Sequence, residues 1–373
     1  MRVIIYANGT DGTDVTAFVE TLTWSGDYQA CARTLEFSLV SSYTDKTIAS
    51  VRCELMDLVV FYDDDRIKRF EGYIWSRTKS TDGNSIDVTC YDMGYYLKRN
   101  KASYKFSNMT PDAITRRICA DYGVGVGDIE TPGLKISRNF LGVTLQKIIM
   151  TCYTLASEKN GLTYQMIFDG RNLNVIRRGI VDGNTVIIEG GSNLMDATIT
   201  ESAEKMVTRV KIYNKDDEFV RNVDNSDAIK AYGVLQEYLK QTSDDNKVKA
   251  AEKQLADNGL SQKITVNCLG DTRCITGRTV VVREPYTGIY GLFYIDADTH
   301  TWKNNQYFNK LTLNFKNIMD EQDAGSVEKM SAGGSSSAKS TKKSVTNTTD
   351  ENSERPYYRY NPDGTERERP KEL

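Results

Sequence analysis

The chain has 373 residues, with 48 Lys and Arg against 51 Asp and Glu and a formal charge of −3. That balance excludes a chain drawn as a whole onto nucleic acid or an anionic membrane, and at about 150 residues per domain the length calls for two or three domains. Only 39% of residues are apolar, yet 22 are Tyr and 6 are Pro, a composition that favours pleated, half-buried surfaces.

The amino-terminal MRVIIYANGTDG has too short an apolar run for an export signal. Nowhere do about 18 apolar residues follow one another, so a soluble chain folding in a reducing cytoplasm without membrane contact is expected. Cys31, Cys53, Cys90, Cys119, Cys152, Cys268 and Cys274 are odd in number, scattered and without CxxC spacing, which predicts buried, reduced thiols.

From residue 3 to 92 the pattern has period two. It predicts strands at Val3 to Tyr6, Phe18 to Trp24, Arg33 to Ser41, Asp57 to Tyr62, Phe70 to Thr78 and Ser85 to Asp92. Asn8-Gly9, Asp11-Gly12, Asp63-Asp64-Asp65 and Asp82-Gly83-Asn84 are hairpin turns between them. A small antiparallel barrel over residues 1–102 removes exposed edges.

Residues 103–182 are expected to form an α+β module. Thr110 and Pro111 open a helix whose stripe is Ala113, Ile114, Ile118 and Cys119, and Gly123 ends it. A second helix runs from Leu145 to Glu158, capped by Thr144 and stopped before Gly161. A hairpin of Leu162 to Phe168 and Asn172 to Arg178 follows.

Residues 183–322 echo the first barrel. Leu194 to Glu201 matches Phe18 to Trp24, Val207 to Tyr213 matches Arg33 to Ser41, Thr279 to Arg283 matches Leu58 to Tyr62, Gly291 to Asp298 matches Gly72 to Lys79, and Leu311 to Phe315 matches Ile86 to Cys90. An insertion at about 224–262 predicts helices Ala228 to Leu239 and Lys247 to Asn258. The polar residues 323–373 predict a disordered tail. Its Tyr357, Tyr358, Arg359 and Tyr360 make an aromatic, basic docking segment.

The fold class expected is therefore mainly β with α+β elements: two similar antiparallel barrels, a module between them, a helical insertion in the second barrel, and a tail. Chemistry is scarce. His300 is the single histidine and is placed at a hairpin, which cannot build a His-based metal site. Gly123 to Asp128 follows a helix and reads as a glycine turn instead of a phosphate loop. Asp63-Asp64-Asp65 lacks calcium-loop spacing. Lys98-Arg99-Asn100-Lys101 reads as a solvated basic face. No catalytic residue, metal or cofactor is expected.

Phe70 to Ile74, Asp87 to Asp92, Gly142 to Ile149, Asp169 to Val175, Thr276 to Val282, Gly291 to His300 and Leu311 to Phe315 occur in one order along residues 1–318. In that order the chain resembles the baseplate hub proteins of contractile phage tails, of the PBSX type and more distantly of the T4 hub and late control protein D type. The resemblance implies a trimer whose two barrels per subunit make a pseudo-sixfold ring between a sixfold tail tube and a threefold spike. It implies tube, spike, tape-measure and baseplate wedge proteins as partners, and DNA passing through the lumen without specific binding. It also implies a place at the tail tip of a virion or tail-like particle, after assembly in the host cytoplasm. Trp75, Arg77 and Lys79, with their counterparts Asp296, Asp298 and His300, are the expected assembly surface. Two other classes compete: a carbohydrate- or receptor-binding β protein using its tyrosines, and a cell-wall hydrolase using carboxylates. The internal duplication favours the symmetry adaptor, because a lectin does not require it.

Overall fold

The computed structural model describes residues 1–7, 11–41, 47, 51–80, 84–241 and 247–322. The turns at Asn8-Gly9 and Asp82-Gly83, and the segment Tyr357 to Tyr360, lie outside the described residues.

The first β region holds β1 (Arg2–Tyr6), β2 (Thr13–Asp14), β3 (Val19–Asp27), β4 (Thr34–Val40), β5 (Leu58–Tyr62), β6 (Lys68–Lys79) and β7 (Ser85–Asp92). Alternation does the sorting. In β4, Leu35, Phe37 and Leu39 are buried while Glu36 is exposed, so one face closes on a core with Val3, Trp24, Phe61, Ile74 and Cys90.

The module follows with α1 (Gly94–Arg99), β8 (Lys101–Met109), α2 (Pro111–Asp121), β9 (Gly125–Ile129), β10 (Ile136–Thr144), α3 (Leu145–Asn160), β11 (Tyr164–Asp169) and β12 (Asn172–Arg177). Helix α3 supplies much of its core through Leu145, Ile148, Ile149, Cys152 and Tyr153. Thr144 Oγ1 accepts the Lys147 N–H at its start, and Gly161, at φ 71°, ends it in the left-handed region that suits glycine. Thr110 and Pro111 stand at the start of α2 as expected, although the Thr110 side chain makes no capping bond. The sequence reading had no element for α1, β8 or β10, and took part of β9 for a turn.

The remainder comprises β13 (Val186–Glu189), β14 (Leu194–Ser202), β15 (Arg209–Tyr213), β16 (Phe219–Asp224), α4 (Ser226–Tyr232), β17 (Gln236–Lys240), α5 (Val248–Asp257), β18 (Ser261–Leu269), β19 (Thr279–Glu284), β20 (Ile289–Lys303) and β21 (Gln306–Asn314). Within the insertion, the helix expected over Ala228 to Leu239 stops at Gly233, whose φ is 83°, and Gln236–Lys240 is a strand instead. Strands β16, β15 and β17 form a separate three-stranded sheet backed by α5.

The module keeps β8-β10 and β9-β12-β11 as sheets of its own, and strands β1 to β7 with β13, β14 and β18 to β21 form a 13-stranded sheet. Its first part runs β3-β4-β7-β6-β5 and its second β14-β18-β21-β20-β19, so the five strands of each part follow the same order in sequence and in space. Four of the five expected equivalences match this topology. The fifth is corrected: the counterpart of β4 is β18, because β15 leaves to join the insertion sheet. Each part encloses its own apolar cluster, the second built from Ile188, Ile264, Val266, Val280, Phe293, Ile295 and Leu311.

Candidate functional site

Strand β20 joins the two parts. On one flank it pairs with β21; on the other, residues 289–294 pair with β19 and residues 297–303 with β3. The register with β21 slips between Ile295 and Ala297, an extra residue of the kind that bends a strand and shifts its alternation. Before the slip, Ile289, Phe293 and Ile295 enter the second core. After it, Asp296, Asp298, His300 and Trp302 are the buried positions, and Trp302 enters the first core. One bulge thus lets a single strand line both cores.

Asp298 gathers the buried polar side chains at this seam. Arg33 donates from Nη1 to Asp298 Oδ1 at 3.0 Å and from Nη2 to Oδ2, while its guanidinium carbon lies 3.9 Å from the centre of the Trp24 ring. The Thr276 N–H donates to Asp298 Oδ1 at 2.6 Å, and the Thr276 hydroxyl donates to the same oxygen. His300 Nε2 lies 3.1 Å from Asp298 Oδ2 at an angle poor for hydrogen bonding, and its Nδ1 is 2.6 Å from Tyr307 Oη. Burial alone would raise the Asp298 pKa, but Arg33 and His300 together hold it well below the usual carboxylate range.

Asp296 meets a different part of the chain. Arg178, just past β12, donates to Asp296 Oδ1 at 2.8 Å and to the Ile295 carbonyl at 3.0 Å, and Asn314 donates to Asp296 Oδ2 at 2.9 Å. The module is thereby anchored at the bulge. Burial raises Asp296 and lowers Arg178, so each ion depends on the other. Asp296, Asp298 and His300 are therefore inside the chain, with Asp298 1% and His300 0% exposed. The hairpin expected at His300 falls later, at Asn304 and Asn305, whose φ values are 52° and 59°.

The counterpart strand, β6, is built alike. Its register with β7 slips between Ile74 and Ser76, so Trp75 corresponds to Asp296, Arg77 to Asp298 and Lys79 to His300. The difference lies on the flank. Strand β5 pairs with β6 only over residues 68–73, and among the described residues no strand covers that flank beyond Tyr73, where β3 covers β20. Trp75 is half-buried against Tyr95 and Tyr96, with ring centres 4.5 and 5.6 Å away. Arg77 pairs with Glu54 at 2.6 Å and donates to the Cys53 carbonyl, and Lys79 is exposed. Among the described residues, edge strand β14 pairs only with β18. Sequence reading missed this role of β14, although its recurrence opposite Phe18 to Trp24 was the available signal.

A cleft beside the seam is lined by Asp63, Asp64, Asp65, Arg69, Asp271 and Arg273. Most of its charges are paired: Arg69 holds Asp63 and Thr272, Arg273 holds Asp271, and Asp64 accepts from Trp302 Nε1 and pairs with the Met1 ammonium. Lys98 and Arg99 end α1, and Lys101 opens β8. Among the described residues no group of three or more His, Cys, Asp or Glu is placed to hold a metal, and no helix is long and apolar enough to cross a membrane.

The XkdQ protein of the phage-like element PBSX from Bacillus subtilis is 27% identical over 314 residues, covering 81% of this chain and 94% of that protein. The 43 kDa tail protein of prophage MuSo2 from Shewanella oneidensis superposes with a TM-score of 0.62 at 14% identity, over 84% of this chain and 97% of that one. The Escherichia coli c3393 protein, a type VI secretion component described as structurally similar to the T4 tail proteins gp27 and gp5, superposes with a TM-score of 0.50 at 14% identity, over 84% and 76%. The YQBQ-like family model matches residues 22–314. The chain belongs to the YQBQ-like family and carries the fold of prophage tail proteins.

Proposed function

We propose that this chain is a structural hub of a phage-type tail. Three copies close into a ring of six near-equivalent barrel surfaces and seat a sixfold tail tube on a threefold spike. The carrying observation is the duplicated strand order with one flank filled by a strand and, among the described residues, no strand on its counterpart beyond Tyr73. Inside the chain, β3 fills the flank of β20. Strand β14 is the counterpart of β3, and residues 75–79 of β6 are the counterpart of the filled flank. Setting β14 of one copy against β6 of the next repeats the internal seam between copies by strand addition. A head-to-tail contact of this kind forms a ring when its rotation closes.

On this reading Trp75, Arg77 and Lys79 belong to the seam between copies, and Asp296, Asp298 and His300 to the same seam within one copy. Residues 1–102 and 183–322 are the two ring barrels, and 103–182 is a module placed between them. The partners are the tail tube, central spike, tape-measure and baseplate wedge proteins, with DNA passing the lumen without sequence contacts. The chain resides at the tail tip and is assembled in the host cytoplasm; its role is structural rather than enzymatic. Family membership and the tail-protein fold support this reading.

Proline at adjacent positions of β14 tests it. In an antiparallel strand successive N–H groups point to opposite flanks, so of Thr198 and Ile199 one faces β18 and the other the open edge. The edge-facing substitution is expected to leave a folded chain that no longer forms trimers, and the other to lower stability. Trimers that survive both substitutions would reject the β14 seam.

A further inference from the structure

The insertion sheet has one face backed by α5, through Val210, Ile212, Ala251 and Leu255, and one face open. On the open face Phe219, Tyr213 and Tyr238 form a stripe across three strands. The Tyr213 ring centre is 6.1 Å from Phe219 and 5.4 Å from Tyr238. Phe219 is 56% and Tyr238 53% exposed, and Val220, next to Phe219, is exposed as well. Asn222, which pairs with Lys211, has its side-chain oxygen shielded from solvent and unpartnered among the described residues. Lys211 and Lys240 share this face, and three aromatic rings gathered between them mark a contact surface.

We infer that this face is the dock for the chain's own segment Arg355 to Asn361. The last described residues end beside the insertion: Lys253 of α5 pairs with Glu321, and the Gln322 N–H donates to Thr154. From Gln322, 32 residues lead to Arg355. Extended, such a length spans about 100 Å, several times the width of a three-stranded sheet. The chemistry is complementary. Tyr357, Tyr358 and Tyr360 match an aromatic stripe, and Arg355 and Arg359 match the exposed Asp216 and Glu218 at its margin. Pro356 lacks an N–H, which favours lying across the face over extending the β17 edge. The inference is independent of the hub reading.

Hydrogen exchange on the full chain and on a chain ending at Glu354 tests it. Amides of β16 and β17 are expected to exchange about tenfold faster in the shorter chain, and a synthetic peptide of residues 353–364 to restore their protection. The full-length double variant Phe219→Ser, Tyr238→Ser is expected to bind no added peptide, and the shorter chain carrying it to gain no protection. Equal exchange in the full and shorter chains would overturn the inference and leave the face to another protein. Protection that disappears on dilution of the full chain would overturn it equally.

Discussion

Arg33, at the entrance to β4, grips the Asp298 carboxylate of β20 with both terminal nitrogens, 265 positions along the chain. The grip sits where β3 crosses onto β20, so one ion pair closes the joint between the two apolar cores. Asp298 is fully shielded and Arg33 nearly so.

Replacing one partner strands the other. Asp298→Ala is expected to cost about 3–5 kcal/mol, while Arg33→Met with Asp298→Leu should cost less, because no buried charge is left alone. Denaturant unfolding of the three chains checks this. A single variant as stable as the wild type would show that the pair contributes nothing to the joint.

Asp92 carries an opposite pH dependence. Burial pushes it up to about 7, although it accepts the Arg33 and Gly94 N–H groups at 3.0 and 2.8 Å. Its unfolded value is about 3.9, so the folded chain binds the extra proton between the two values and loses stability as pH rises from 4 to 7. The Asp298 contribution has the other sign: present above its unfolded value, it is lost only in strong acid as pH falls through its depressed folded value. The unfolding free energy of the wild type should therefore fall relative to that of Asp92→Asn as pH rises from 4 to 8. Parallel curves would contradict the assignment.

The bulge makes a sharper claim. Deleting Asp296 removes the extra residue that bends β20 and leaves Arg178 buried without its partner, while Asp298, His300 and Trp302 keep their partners on β21. Soluble expression should fail or thermal stability should collapse. A cooperative unfolding transition close to that of the wild type would show that neither the bend nor the Arg178 anchor is needed.

All seven cysteines are buried and free. Burial raises the Cys53 and Cys119 thiols to about 11 and the Cys152 and Cys268 thiols to about 12. Native protein at pH 8 should resist a maleimide reagent, and unfolded protein should label at seven sites. Rapid native labelling at any of them would reveal local opening.

Much of the first β region could be read directly, because Leu35, Phe37 and Leu39 alternate cleanly with polar neighbours. Helices α2 and α3 were legible from Pro111, Thr144 and Gly161. Strands β8 and β10 were not, since β8 buries only Phe106 and gives the period-two pattern little apolar signal. Strand β17 was hidden by a helical spacing that Gly233 interrupts. The site was half legible: the matched triplets on β6 and β20 could be paired by sequence, but burial of the β20 triplet depended on β3 crossing over from the other barrel. No local pattern encodes that.

The most direct measurement is the solution mass of the full chain by light scattering over a range of concentrations. The account predicts a mass of three chains, reduced to one by the edge-facing proline in β14. A mass of one or two chains at every concentration would contradict the ring.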